Sequence, residues 1–481
     1  MQEKIPYDVV IIGAGLSGIG TAYWLQKKCP GKRFTILESR HTFGGTWDLF
    51  RYPGIRSDSD MFTFGFRFKP WQNPKSLSDG GSILEYLKET AEENGIDKKI
   101  QYNHQVTNAN WSTAESCWII TLLAGDEEKI IRSRFIYNCT GYYSYEETYR
   151  PTFEGESDFR GQVVIPQFWP KELDYTGKNV IVVGSGATAV TLVPSMAETA
   201  AHVTMLQRSP TYVMTLPNRN GLFIWMKKWL PDSFAYTFTR RMNLLVSILT
   251  FALCRAFPQA IKKFIMKGIA KQLPAGYAVD KHFNPSYNPW DQRVCVVPDG
   301  DLFTSIRRQK ASVVTDHIER FTENGILLQS GEEVKADIIV LATGLKIKLL
   351  GGIRISIDGR TIHTNESMIY KGMMVSEVPN LAIAFGYTNN SWTLKTDLTA
   401  NYICKLLNYM DKHGYQVVIP GRENDVTPEP FMNFKSGYIH RADAIMPKQG
   451  SRRPWRVYQN YLMDAFITRF GKINDGVLEF R

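Results

Sequence analysis

Short apolar runs, each followed by a glycine turn and a helical pattern, recur along this chain. Val9, Val10, Ile11 and Ile12 form an unbroken run that passes straight into Gly13-Ala14-Gly15-Leu16-Ser17-Gly18. Residues 19–28 carry a helical pattern, and a second apolar run ends in Ile36, Leu37 and Glu38. This order predicts a strand, a crossover helix and a parallel strand. The unit recurs at Asn179-Val180-Ile181-Val182-Val183, which leads into Gly184-Ser185-Gly186-Ala187-Thr188-Ala189 and another apolar run over 202–206. Between the two units, 82–94 reads as an amphipathic helix. Residues 111–123 and 129–137 read as strands of a hairpin or meander that ends at Asn138-Cys139-Thr140-Gly141. A late run, 336–342, enters Thr343-Gly344, echoes Thr140-Gly141 and predicts a return to the first unit.

The turns carry the chemistry. Glycine lets the chain turn tightly, lets backbone approach a pyrophosphate and lets helix pack on strand, while the helix N-terminus offers amide donors to phosphate. Glu38 lies 25 residues after Gly13, where a carboxylate accepts hydrogen bonds from an adenosine ribose. The second unit ends in Gln207-Arg208-Ser209 instead. An arginine fork and a serine there suit a 2′-phosphate. The first site therefore fits FAD and the second NADPH. The fold class is α/β, with two Rossmann-like dinucleotide-binding domains. The expected division is a first part of the FAD domain over 1–145, an NADP domain over 146–335 with a helical insertion at about 215–290, and the rest of the FAD domain over 336–481. The loop holding Gly44 to Trp47 and Arg51 to Asp60 is expected to wrap the rest of the first cofactor.

Composition narrows the classes. A chain of 481 residues with 43% hydrophobic and 22% charged residues is ordinary globular material in more than one domain. The longest apolar candidate, 244–253, is far short of the roughly 18 residues of a membrane span. Residues 1–6 carry no secretory apolar stretch. The six cysteines are scattered without a CxxC or a metal spacing. Reduced thiols in a cytoplasmic protein are expected, with no metal site, and a disulfide reductase on the same two nucleotide folds is excluded. The net charge of +10 is concentrated in 222–271, which holds nine Lys or Arg against the single acid Asp232. Phe, Trp, Leu and Ile interleave with these cations at roughly helical spacing around Pro231 and Pro258. The segment reads as a helical insertion walling the substrate entrance. The alternatives are packing helices with a solvated basic face, or shallow contact with anionic lipid on the inner face of the membrane. With two nucleotide sites filled, the basic stretch calls for no nucleic acid.

With both fingerprints in place, the chain resembles the class B flavoprotein monooxygenases, and within them the Baeyer–Villiger branch. The likeness covers nearly the whole chain. It rests on the two glycine turns with their Thr-Gly partners, on Gly44-Gly45-Thr46-Trp47-Asp48, on Arg51-Tyr52-Pro53-Gly54 and on Tyr287-Asn288-Pro289-Trp290-Asp291-Gln292-Arg293. Inside the branch it is similar to the ethionamide-activating group and to the AlmA-type flavin monooxygenases linked to long-chain alkane use. The branch's linker fingerprint, F-x-G-x-x-x-H-x-x-x-W, is matched by Phe159, Gly161 and Trp169, followed by Pro170, but Ile165 stands in the histidine place. That linker is thought to coordinate domain movement, so the departure bears on coupling more than on chemistry.

The resemblance implies catalytic roles for Arg293, over the flavin, and for Asp58, which orients it. Gln292 stands where a lysine often meets the NADP phosphate, leaving more to Arg208 and Ser209. The cofactor-binding set is Gly13, Gly15, Gly18, Glu38, Gly45, Thr46, Trp47, Ser57, Asp58, Val106, Thr140, Gly141, Gly184, Ser185, Gly186, Thr188, Arg208 and Ser209. The implied activity is an FAD- and NADPH-dependent monooxygenase that inserts one atom of O2 through a flavin C4a-peroxide. An arginine, always charged near neutral pH, favours the anionic peroxide and hence oxidation of ketones to esters. Long-chain or aliphatic ketones are the expected substrates. Oxygenation of a thioether or amine and hydroxylation of a long-chain alkane are the alternatives.

Overall fold

The chain is seen in a computed structural model that describes residues 5–423, 425–432 and 437–481. Met1–Lys4, part of the stretch read above as lacking a secretory segment, lie outside the described residues.

The first apolar run becomes the strand Tyr7–Ile12, central in the larger of the two main sheets. It lies parallel to Phe34–Leu37 on one side and to Glu127–Asn138 on the other, with Val9 opposite both Phe34 and Phe135. Val9, Val10 and Ile11 are fully buried because both faces of the sheet are covered, which is why the run is continuous rather than alternating. An antiparallel meander, His104–Ser112, Cys117–Ala124 and Glu127–Asn138, extends this sheet. Residues 111–123 are thus two strands, not one. Trp111 pairs with Trp118 across the register, their rings 5.6 Å apart, and the turn between them takes Ser116 to a φ of 51°. Burying two facing indoles outweighs the propensity of the whole stretch for one extended run. The helix expected at 82–94 spans Gly80–Glu93, capped by Asp79 accepting from Ser82 N.

The second sheet has five strands, all parallel: Ala311–Thr315, His202–Gln207, Asn179–Val183, Ile338–Leu341 and Gln162–Val164, in that spatial order. Ile338–Leu341 therefore belongs here, and the division expected at 336 is corrected. Its four residues are all buried and pair with Val180–Val183, so the run completes the second sheet before the chain leaves it. The return comes just after Thr343-Gly344. There Leu345–Ile347 pairs antiparallel with Tyr143–Thr148, so the outgoing and returning connections form one two-stranded link. Leu381–Ile383 then rejoins the first sheet beside Ile136–Asn138.

The basic segment forms three helices, Gly221–Lys227, Asp232–Ala256 and Pro258–Ala270. The last two meet at Phe257 with a bend of 114°, and Pro258 opens the third at a position where its missing N–H costs nothing. The long helix packs on the first domain as well as the second. Tyr236 donates to the Phe62 carbonyl at 3.1 Å, Arg240 Nη1 to the Phe62 and Gly65 carbonyls at 2.6 and 2.7 Å, and Asn243 to Asp60 at 2.9 Å. Among the described residues no single helix is long and apolar enough to cross a membrane.

Candidate active site between two nucleotide turns

At the first turn, the chain leaves Ile12 with Gly13 at a φ of +102°, a conformation open to glycine. A Cβ there would sit 2.7 Å from the Cys139 carbonyl, because Asn138-Cys139-Thr140 crosses directly beneath the turn. Gly18 closes the other side: a Cβ on it would lie 2.0 Å from the Gly13 carbonyl, so helix and strand meet only without a side chain. Gly15 and Gly45 approach backbone to backbone, a Cβ on Gly15 falling 3.5 Å from the Gly45 Cα. Glu38 is buried behind this cradle. Its Oε2 accepts from Ala14 N at 2.8 Å and its Oε1 from Arg40 N at 3.1 Å, which holds the carboxylate at the end of the strand that the fingerprint requires. Gly13, Gly15, Glu38, Gly45, Thr46, Trp47, Ser57, Asp58, Val106, Thr140 and Gly141 all line one cavity, whereas Gly18 serves packing. The chemistry of this donor set, free backbone at the turn and a fixed acid behind it, fits FAD.

The second turn repeats the geometry. Gly184 has a φ of +142°, and a Cβ there would lie 2.4 Å from the Ala342 carbonyl. Gly186 caps the helix Ala187–Met196 and has open space where a Cβ would be, as a pyrophosphate seat needs. Ser185 Oγ donates to the Ser209 carbonyl at 3.2 Å, binding the turn to the Arg208-Ser209 loop, where both residues are exposed. These groups fit NADP. Thr188, on the first turn of that helix, reaches the same cavity as the first site.

Asp58 and Arg293, 235 residues apart, meet in the cavity wall. Arg293 Nη2 donates to both carboxylate oxygens of Asp58, at 3.1 Å to Oδ1 and 2.8 Å to Oδ2. Each partner is anchored by backbone. Ser57 N donates to the Ser78 carbonyl, while Arg293 leads into Cys295–Pro298, paired in parallel register with Val213–Leu216. The side chains are 37% and 27% exposed, so the pair adds little stability and its consequence is placement.

The cavity takes further residues, first from the loop Arg51 to Asp60 and then from positions that sequence reasoning missed. Tyr52 lines it, and burial pushes its hydroxyl up to about 12, so it stays protonated in neutral solution. Gly54, in the same loop, would place a Cβ 2.8 Å from Ser195 Cβ, so the loop lies tight against the second domain's helix. Tyr387, Asn390 and Trp392 come from the far end of the chain. Trp392 donates to Ser17 Oγ at 3.0 Å and stacks on Tyr142 at 5.1 Å, which ties the C-terminal half to the first turn. No local motif marks these three; only the return of the chain beside the first sheet brings them in. The insertion expected to wall the entrance contributes no lining residue. Phe223 is buried against Phe62 with rings 4.7 Å apart, and Trp225 and Trp229 point to solvent. The long helix stands behind the wall instead, with Ser247 hydrogen-bonded to Asn390 at 2.6 Å.

One cavity lined by the first nucleotide turn and by the start of the helix after the second, with Arg293 in its wall while Gly184, Ser185, Gly186, Arg208 and Ser209 lie outside the lining, defines a two-dinucleotide-domain oxidoreductase. The chain belongs to the flavin-binding monooxygenase-like family, whose pattern matches residues 60–409, and residues 11–74 match an NAD(P)-binding Rossmann-like domain. It is 52% identical over 475 residues to the FAD-containing monooxygenase EthA of Mycobacterium tuberculosis H37Rv, covering 98% of this chain and 97% of that protein. It is 51% identical over 484 residues to the protein described as "Probable FAD-binding monooxygenase AlmA" of Acinetobacter baylyi, covering 100% and 97%. In fold it is similar to a steroid monooxygenase solved with NADP, with a TM-score of 0.78, 20% identity and coverage of 98% and 99%. It is also similar to OTEMO solved with FAD and NADP, with a TM-score of 0.76, 21% identity and full coverage of both chains. The enzyme is a flavin-dependent monooxygenase.

Proposed function

We propose that this monooxygenase uses FAD and NADPH to convert an aliphatic, long-chain ketone to an ester. In balance, ketone, O2, NADPH and a proton give ester, NADP+ and water. Bound in the cavity, FAD supplies the activation of O2, and NADPH supplies the hydride. The first turn, Glu38, Ser57 and Thr140 hold and orient the flavin nucleotide. The second turn, Thr188, Arg208 and Ser209 hold NADPH, with the arginine on the 2′-phosphate.

The observation that carries the reading is the Asp58–Arg293 contact in the cavity wall. Arg293 offers a fixed cation to negative charge that develops on oxygen, while Asp58 stops the guanidinium from swinging away. A permanent cation favours attack on a carbonyl over oxygen transfer to sulfur or nitrogen, and neither route suits an unactivated C–H bond.

Product analysis with the purified enzyme, NADPH and methyl ketones of increasing chain length tests this, with a thioether and an alkane of matched length alongside. Ester from the longer ketones, at rates at least about tenfold above sulfoxide formation, is expected. Sulfoxide as the main product would replace the ketone reading by oxygenation at sulfur.

A further inference from the structure

The insertion carries an apolar face that none of the described residues covers. Along the helix Asp232–Ala256, Phe234, Phe238, Met242, Leu245, Leu249 and Leu253 recur at intervals of three or four and are each at least 41% exposed. They form one stripe about 28 Å long at 1.5 Å per residue. The opposite face of the same helix, with Ala235, Tyr236, Thr239 and Leu244, is buried against the protein. The stripe is therefore not a core face laid bare by a missing neighbour in the fold.

Its surroundings extend it. Trp225 and Trp229, 59% and 75% exposed, precede it, and Phe257 and Phe264 follow across the bend. Tyr461, which opens the helix Tyr461–Phe470, packs like Ile248 against the buried cluster of Leu244, Tyr387 and Leu394. That helix adds its own exposed series, Leu462, Phe466 and Phe470. An uncovered apolar surface of this extent marks an interaction site.

Charge identifies the partner. Between Asp232 and Asp280 the chain contains no acid, and Arg241, Arg255, Lys263, Lys267 and Lys271 stand exposed beside the apolar residues. Asp232 itself is paired to Lys227 at 2.9 Å. A nucleic acid would engage the cations and leave the stripe in water. An anionic bilayer satisfies both at once: acyl chains take the stripe, headgroups take the cations, and the tryptophans sit at the boundary where their rings are at once apolar and hydrogen-bonding.

We propose that this face docks the enzyme on a membrane surface that carries anionic lipid, with the insertion lying in the plane of the interface rather than crossing it. Docked this way, the bilayer lies one helix from the cavity wall, since Ser247 on the buried side of the long helix is hydrogen-bonded to Asn390. Resting on the ketone reading above, a long-chain substrate dissolved in the bilayer would have a short path to the site. The docking itself does not depend on that reading.

Flotation of the full-length, flavin-loaded protein with vesicles of phosphatidylcholine, with and without phosphatidylglycerol, tests the proposal without reference to activity. Binding to the anionic vesicles is expected, weakened but not abolished by salt, because the apolar part is not screened. The combined variant Phe238→Ser, Leu245→Ser, Leu249→Ser should lose binding by on the order of a hundredfold while keeping its flavin content and melting temperature. Lys263→Glu with Lys267→Glu should remove the preference for anionic lipid and leave the stripe intact. A wild-type protein that stays soluble with both vesicles, or a stripe variant that binds as well as wild type, overturns the proposal. So does a dimer in sedimentation velocity that the stripe substitutions split without vesicle binding, which would assign the face to a second copy of the chain. Failure of ester formation with normal flotation would count against the ketone reading alone.

Discussion

At Arg293 the consequence of a substitution depends on which half of the reaction is read. On the proposed reading, hydride delivery from NADPH needs no cation beside the reacting oxygen, whereas oxygen insertion does. Arg293→Ala is expected to bind FAD and accept reduction by NADPH, yet to form no ester and to release hydrogen peroxide. Stopped-flow reduction and product assays separate the two. Asp58→Ala leaves the charge but frees it to move, and a shift of about an ångström costs roughly a hundredfold, so its loss should be severe but incomplete. Arg293→Lys should retain little, because an ammonium on a flexible stem cannot hold the guanidinium's place. Undiminished ester formation in Arg293→Ala would remove Arg293 from the chemistry. For the coenzyme, the residue proposed for the 2′-phosphate is Arg208. Its exposed guanidinium at the end of His202–Gln207 predicts a strong preference for NADPH over NADH. Arg208→Ala should raise the KM for NADPH by about tenfold to a hundredfold, the worth of a charge-assisted contact, with FAD retained. Equal use of both coenzymes by the wild type would contradict it.

Among the elements, the linker between the domains combines tight packing with one buried amide. Phe159 packs with Phe321 in a core cluster, and Gly161 has no room for a Cβ, which would fall 2.3 Å from the Asp337 carbonyl. These two fingerprint positions are explained by packing alone. Ile165 makes no side-chain hydrogen bond, but Gln167, two residues on, is buried and donates through Nε2 to the Ser144 and Tyr145 carbonyls at 2.8 and 3.2 Å. Those carbonyls belong to Tyr143–Thr148, the outgoing strand of the two-stranded link between the domains. Gln167 thereby clamps the linker to the joint that any domain movement must bend. Gln167→Ala should leave reduction by NADPH unchanged and raise the hydrogen peroxide formed per NADPH severalfold. A coupling ratio equal to wild type would show that the clamp is structural only.

For the whole molecule, what the chain reveals in sequence follows from where the physical constraint is local. A glycine turn needs its neighbours within a few residues, so both glycine turns and the acid at Glu38 were legible in order along the chain, with Arg208 marked beside them as a candidate. The periodicity also marked the insertion as helical. The meeting of Asp58 with Arg293 came from a resemblance rather than from any pattern, since nothing local links positions 235 residues apart. Other features were settled only by tertiary packing. Ile338–Leu341 joined the second sheet because parallel pairing buried it there, although its Thr-Gly ending resembled the first. Tyr387, Asn390 and Trp392 reached the cavity because the returning strand carried them beside the first turn. The insertion's apolar residues looked alike in sequence, yet one face is packed and the other open. Periodicity reports that a face is apolar; only the arrangement of neighbours decides which face is covered.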